Sequence, residues 1–309
     1  MMKDILIDRM PVPFDTDIVY KPVSYVDNVK HVSISGVQEK LFAVVENGKL
    51  RLAEEGEQSA YIIKPAPQNL ALLNLQDMPA NEYLTMQIAS KVFGIDTAVC
   101  GMIRLADGHL AYIVRRFDVS GQGKLAQEDV CTLLGRSAKT HGSDYKYRGS
   151  YLEVANVLRQ TLPLWRFDMQ RFVKLVVFNY LFSNGDAHLK NFSILRDKDQ
   201  FRLSPSYDLL NTSLHISDSD FALDKGLGLP LEHTSDVFDK SGHPTIVDFR
   251  NFAKLCGLTE KQIADTLAPF ANEQSNVQEL CESSLLSNKC KRMFMRTYRE
   301  RLARFCRGI

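Results

Sequence analysis

FNYLFSNGDAHLKNFSILR, residues 178–196, decides how the chain is read. Asp186, His188, Lys190 and Asn191 crowd into six positions there, and both flanks are apolar. Upstream, residues 171–182 (RFVKLVVFNYLF) read as a helix that is apolar almost all round; downstream, FSIL reads as a short core strand. A loop tied at both ends to core elements is held rigidly, which suits chemistry better than solvation.

Working outward, FSIL, the turn RDKDQ and FRLS read as a hairpin that returns the chain to SYD at 206–208. Asp208 is therefore expected beside Asn191. Asp186 and Asn191 are separated as Asp-x-x-x-x-Asn, the spacing of kinase catalytic loops. A carboxylate and an amide oxygen are hard ligands suited to Mg²⁺, whose octahedron phosphates and waters complete. Asp208 and Asn191 are thus the expected metal ligands, and Asp186 is left to accept a hydroxyl proton. Turn and helix capping would explain Asp186 and Asp208 singly, but not all three together. His188 and Lys190 stand where a transferring phosphate could be contacted; a histidine that only hydrogen-bonds the loop explains His188 equally well. No Cys or His lies near His188 at zinc-ligand spacing.

Nucleotide chemistry also needs a cation on the phosphates. Lys64 ends the apolar strand AYIIK, where a charge is costly unless paired, and Glu82 on the following helix is the candidate partner. The stretch SISGVQEK, residues 33–40, has one glycine and is neither a Walker A nor a GxGxxG loop. Its place ahead of the first strand suits a phosphate-covering loop, with Ser33, Ser35, Gly36, Gln38 and Lys40 near the nucleotide. YIVRRFD, residues 112–118, joins two regions of different texture, so the backbone of Arg116 and Phe117 is expected at an adenine edge.

The 309 residues suffice for one large domain or two lobes, and 45% hydrophobic content is ordinary for a globular chain. Lys plus Arg (38) balance Asp plus Glu (37), so no global field draws in nucleic acid or membrane. The six cysteines show no CxxC pairing, the start lacks a signal-peptide run, and no stretch approaches a membrane span. A cytoplasmic protein with reduced thiols and no membrane partner is expected. Residues 31–64 read as a small antiparallel meander and 79–94 as an amphipathic helix stopped by Gly94. TAVCGMIRL and HLAYIVRRF read as two more strands, SGQGK as a flexible joint, and most of the remainder as helix. The expected class is α+β in two lobes: a sheet-rich N-lobe over 1–118 and a mainly helical C-lobe over 119–309.

In SISGVQEKL, YIIKP, NEYLTM, VRRFD, AQEDVCTLLG, NGDAHLKNFSIL and SPSYDLL, taken in order over roughly residues 31–212, the sequence resembles the HipA-like serine/threonine kinases, toxins of bacterial toxin–antitoxin systems. The resemblance implies a protein kinase-like fold, ATP with Mg²⁺, and phosphorylation of an aminoacyl-tRNA synthetase that stalls translation. It implies Asp186 as base, Asn191 and Asp208 as metal ligands, Lys64 on phosphate and Ser33 as an autophosphorylated residue. The loop begins near residue 31, without the additional N-terminal subdomain of full-length HipA proteins, and SIS carries a second serine, Ser35. Both features resemble the short HipT type, which implies a tryptophanyl-tRNA synthetase target, a HipB-like DNA-binding antitoxin and a separate small HipS-like protein. Arg115 stands where HipA has an acidic residue, which leaves backbone recognition of adenine untouched.

Asp186-Ala-His188 also resembles the loop of aminoglycoside-type phosphotransferases, although the C-terminal half shows no acidic cluster for cationic substrates. The C-terminal run KCKRMFMRTYRERLARFCRGI has eight Lys or Arg against one Glu, with Phe294, Tyr298, Leu302 and Phe305 at helical spacing. A non-catalytic partner that binds antitoxin and DNA through this helix is the third reading; it leaves Lys64, Asp186, Asn191 and Asp208 unexplained. Any DNA contact is expected to be indirect, through the antitoxin.

Overall fold

The computed structural model describes residues 16–19, 38–67, 72–120 and 123–307; Ser33, Ser35 and Gly36 fall outside them. Strands β1 (Leu41–Glu46) and β2 (Lys49–Leu52) form a hairpin whose corner residues Asn47 and Gly48 have φ of 49° and 78°. That left-handed pair is what a two-residue turn between twisted strands requires. β3 (Tyr61–Pro65), β4 (Cys100–Arg104) and β5 (Leu110–Arg115) complete an antiparallel sheet of order β2-β1-β3-β5-β4. Helix α1 (Met78–Lys91) connects β3 to β4 and packs Leu84 and Ile88 into one cluster with Met102 and Tyr112 of the sheet. Ala43, Leu50, Ile63 and Ile113 form a separate cluster with Ile18. Since strand side chains alternate, Ile63 in that second cluster leaves its neighbour Lys64 on the α1 face.

The joint expected at SGQGK is a short hairpin of β6 (Val119–Ser120) and β7 (Gly123–Lys124). β8 (Ala126–Asp129) then pairs with β9 (Ser193–Asp197), which pairs with β10 (Gln200–Leu203). The β9–β10 hairpin is the expected one, but β8 is an addition. No residue of AQED is buried, so no alternation marks it as a strand, and only the edge of β9 makes it one.

The rest is mainly helical: α2 (Val130–Leu133), α3 (Ala138–His141), α4 (Tyr151–Thr161), α5 (Trp165–Leu181), α6 (Asp236–Ser241), α7 (Ile246–Leu255), α8 (Glu260–Leu267), α9 (Ser275–Ser283) and α10 (Asn288–Phe305). α5 is the central one, burying Phe172, Val173, Val176, Val177 and Phe178 completely or nearly so. Beyond the end of α1, Phe93 stacks on Phe270 at 4.6 Å and meets Phe178 and Phe182 edge-on, so a single apolar core runs from the sheet into the helices. α10 buries Phe294, Tyr298, Leu302 and Phe305 as its spacing indicates. Its basic side is partly neutralised, by Arg299 on Glu273 and by Arg301 turned inward onto Asp220. No described helix is long and apolar enough to cross a membrane, and the six cysteines are unpaired.

Candidate active site

Helix α5 launches the site. It ends at Phe182 and Ser183, the latter with φ 52°, and Asn184 closes the last turn by donating from its amide to the Asn179 carbonyl at 2.8 Å. Thr212 clamps the start of the loop, accepting from Gly185 N at 2.9 Å and donating its hydroxyl to Ser183 O at 2.8 Å. A Cβ on residue 185 would collide with the Asp218 carboxylate, so glycine is the residue that fits. Asp186 and His188 are buried in this loop, and Leu189–Asn191 forms a 3-10 turn into β9. Asn191 Oδ1 accepts from His188 N at 3.0 Å, which orients the amide.

The β9–β10 hairpin returns the chain to Asp208, whose φ of 55° is left-handed. Such a backbone costs an L-residue about 1–2 kcal/mol and is found where the surroundings dictate it. Asn191 Nδ2 lies 3.5 Å from Asp208 Oδ2, so the two residues are neighbours. From the sheet, Lys64 Nζ donates to Glu82 Oε1 at 2.5 Å and also to Asp208 Oδ1, bridging β3, α1 and the segment after β10. Lys40 stands 3.9 Å from Asp208, and Gln38 reaches the Pro65 carbonyl at 3.5 Å. Gln38, Lys40, Lys64, Glu82, Asp186, Asn191, Asp208 and Leu210 line one cleft.

Burial opposes charge on Lys64, but the Asp208 and Glu82 carboxylates outweigh it and hold the ammonium above its ordinary value. Burial likewise opposes charge on Asp208, yet Lys64 and Lys40 keep its carboxyl below the usual range. Glu82, at 1% exposure, is pushed up by burial in spite of Lys64. Asp208 is therefore the firmer anion of the pair. Burial lowers His188 to about 4 against the opposing pull of Asp186, so the ring is neutral near pH 7. It can serve there as a neutral donor to phosphate and not as a cation.

Two further expectations shift. Lys190 is not part of the cleft: its Nζ is held 2.6 Å from Asp129 of β8, and Tyr207 binds its carbonyl at 2.7 Å. The Arg116 amide is committed to the Ala60 carbonyl at 2.9 Å, and its guanidinium forks onto Asp118 and reaches Ser59. Of the amides expected at an adenine edge, that leaves Phe117, whose ring packs 5.4 Å from Tyr207.

Sequence reasoning did not find the residues that hold the site from behind. Asn81, beside Glu82 on α1, accepts from Asn211 N at 3.1 Å and donates to Asn211 O at 2.8 Å and to His215 Nε2 at 2.9 Å. His215 Nδ1 faces the Leu73 carbonyl, so it carries the proton and Nε2 accepts. This buried network ties α1 to the segment after Asp208. Tyr147 donates to Asp186 Oδ1 at 2.6 Å, and nothing in the spacing of SDYKY announces it.

The sequence profile of the HipA-like C-terminal domain matches residues 32–277, and the chain belongs to that family. A Haemophilus influenzae protein with a provisional kinase name is 27% identical over 294 residues, covering 88% of this chain and 81% of that protein. The serine/threonine-protein kinase toxin HipA of Shewanella oneidensis is 25% identical over 214 residues, 63% of this chain and 46% of the toxin, so the chain matches about half of that relative's length. A Shewanella oneidensis HipA structure, in complex with HipB and operator DNA, superposes with a TM-score of 0.66 at 22% identity, covering 92% of this chain and 66% of that one. The kinase-like α+β fold is thereby shown.

Proposed function

We propose that this member of the HipA-like family is a serine/threonine protein kinase and the toxin of a toxin–antitoxin pair. It transfers the γ-phosphoryl group of ATP to a protein hydroxyl and to its own loop serines, Ser33 and Ser35. The observation that carries this reading is the convergence of Lys64, Glu82, Asp186, Asn191 and Asp208 on one cleft from well-separated stretches of chain.

The oxygen ligands on offer are the Asp208 carboxylate and Asn191 Oδ1; Asn191 turns Nδ2 to Asp208 and Oδ1 to His188 N, so a shared cation would take the second lone pair of that oxygen. Among the described residues no three His, Cys, Asp or Glu gather into a cage. Such a set fits Mg²⁺, which takes few protein ligands when phosphates supply the rest. Bound there with ATP, the ion would neutralise phosphate charge. Asp208 and Asn191 would hold the ion, and Lys64, oriented by Glu82, would bind phosphate oxygen. Gln38 and Lys40 flank the phosphates, and the Phe117 backbone meets the adenine edge. Asp186 accepts the proton of the acceptor hydroxyl as its oxygen attacks, and neutral His188 buttresses the loop.

The favoured substrate is an aminoacyl-tRNA synthetase, with the tryptophanyl enzyme first on resemblance to the HipT type. The partners are a HipB-like DNA-binding antitoxin, as HipB accompanies HipA in the Shewanella complex, and a small HipS-like protein; DNA is reached through the antitoxin and the setting is cytoplasmic. Induced expression should arrest growth with a single tRNA species uncharged, and extra copies of its synthetase should restore growth. Arrest with every tRNA normally charged would remove the synthetase; no phosphate transfer from γ-labelled ATP to any protein would remove the kinase.

A further inference from the structure

Tyr147 ends the 3-10 turn Tyr145–Tyr147 and places its hydroxyl 2.6 Å from Asp186 Oδ1. That is the distance at which a general base meets its proton donor, so the contact bears directly on the proposed chemistry. We infer that Tyr147 is a positioning residue for phosphoryl transfer, its hydroxyl fixing the rotation of the Asp186 carboxylate so that the base is aimed at one place. The inference rests on the kinase reading above.

The tyrosine is built as a fixed strut and not as a swinging cover. Its amide donates to Asp144 O at 2.9 Å, and its carbonyl accepts from Asp224 N at 2.9 Å. Two residues on, Gly149 is pinned to the same neighbouring segment, donating to Asp224 Oδ1 at 2.7 Å and accepting from Lys225 N at 3.0 Å. The ring meets the buried His188 imidazole edge-on at 5.3 Å and 72°, with Lys146 Nζ 5.0 Å from its centroid. Moving the segment would break the backbone bonds, and swinging the ring alone would give up its contacts with His188 and Lys146.

The Asp186 backbone is held as well, its carbonyl accepting from His188 N at 2.8 Å. The carboxylate itself turns about two side-chain bonds, and the Tyr147 hydroxyl is a contact that resists that turning. A base whose lone pair wanders by a fraction of an ångström loses much of its advantage, because productive transfer needs an aligned near-attack geometry. A hydrogen bond from a clamped phenol narrows that rotation.

The test is Tyr147→Phe in the full chain, which keeps the ring and deletes the hydroxyl. With γ-labelled ATP and Mg²⁺, kcat for transfer should fall roughly 10- to 100-fold while KM for ATP stays within about twofold, the split expected when only alignment is lost. An independent readout uses protein labelled at tyrosine ¹³Cζ: the Tyr147 resonance, assigned by its loss in Tyr147→Phe, should shift in Asp186→Asn. Unchanged or increased kcat in Tyr147→Phe overturns the inference, an increase meaning that the tyrosine covers the base. An unmoved resonance overturns it too. A wild-type protein that transfers no phosphate overturns the kinase reading and the inference together, whereas an active wild type with an indifferent Tyr147→Phe overturns the inference alone.

Discussion

Replacing Lys64 by Met should destabilise the folded chain through the charges it leaves behind. Lys64 is 4% exposed and sits between Glu82 at 2.5 Å and Asp208. Deleting one partner of a buried pair costs about 3–5 kcal/mol, because the other partner stays buried and uncompensated. The lower end applies here: Asp208 keeps Lys40 at 3.9 Å and is 21% exposed, and Glu82, already pushed up by burial, can take a proton. At roughly 2 °C per kcal/mol for a chain of this size, the melting temperature should drop by about 6 °C. Adding Glu82→Gln removes the stranded charge and should recover at least half of that loss. Circular dichroism melts at pH 7.5 in low and high salt make the measurement, and salt should change the difference little because the pair is shielded from it. The pH trend has a definite sign. Without the ammonium the two carboxylates bind protons more readily folded than unfolded, so acidification below neutrality should narrow the gap to wild type. A Lys64→Met melt within 2 °C of wild type, on the same roughly 2 °C per kcal/mol scale, or a double variant no better than the single, would refute the buried-charge argument.

Asp186→Ala should abolish transfer and leave ATP binding largely intact, whereas Asp208→Ala should weaken Mg²⁺-dependent ATP binding; calorimetry giving the reverse pattern would exchange the two roles. Ser33, Ser35 or both should carry phosphate after incubation of active protein with Mg²⁺ and ATP, but not in Asp186→Ala. The added charge of about −1.5 to −2 beside the nucleotide should be inhibitory, and a mass spectrum of an unmodified 33–40 peptide counts against it. His215 is lowered from 6.5 by burial, against the Leu73 hydrogen bond. The unfolded chain therefore takes up this proton first, and stability should fall as pH drops below about 6.5. His215→Gln should flatten that part of the stability profile; an equally steep decline in the variant assigns it to other groups.

Outside β6 to β8, the strand-and-helix order was legible in the sequence, as were the polar loop between α5 and β9 and the charged residues brought to the cleft. Each is written in local terms: the apolar run of β3, the near all-round apolarity of residues 171–182 at the end of α5, a hairpin short enough that Asp208 returns to Asn191. The Lys64–Glu82 pair was also legible, because a lysine ending an apolar strand needs a counter-charge. β8 was not, since a strand with no buried residue exists only by pairing with β9. Nor could spacing tell that Lys190 turns to Asp129 or that the Arg116 amide is spent on Ala60. The tyrosine on Asp186 and the asparagine–histidine network behind Asp208 likewise join stretches far apart in the chain. Periodicity and spacing record what a residue needs from its immediate neighbours and its solvent. Which of several possible partners satisfies a buried donor or charge is settled only when packing brings one of them within about 3 Å, and that choice belongs to the tertiary structure.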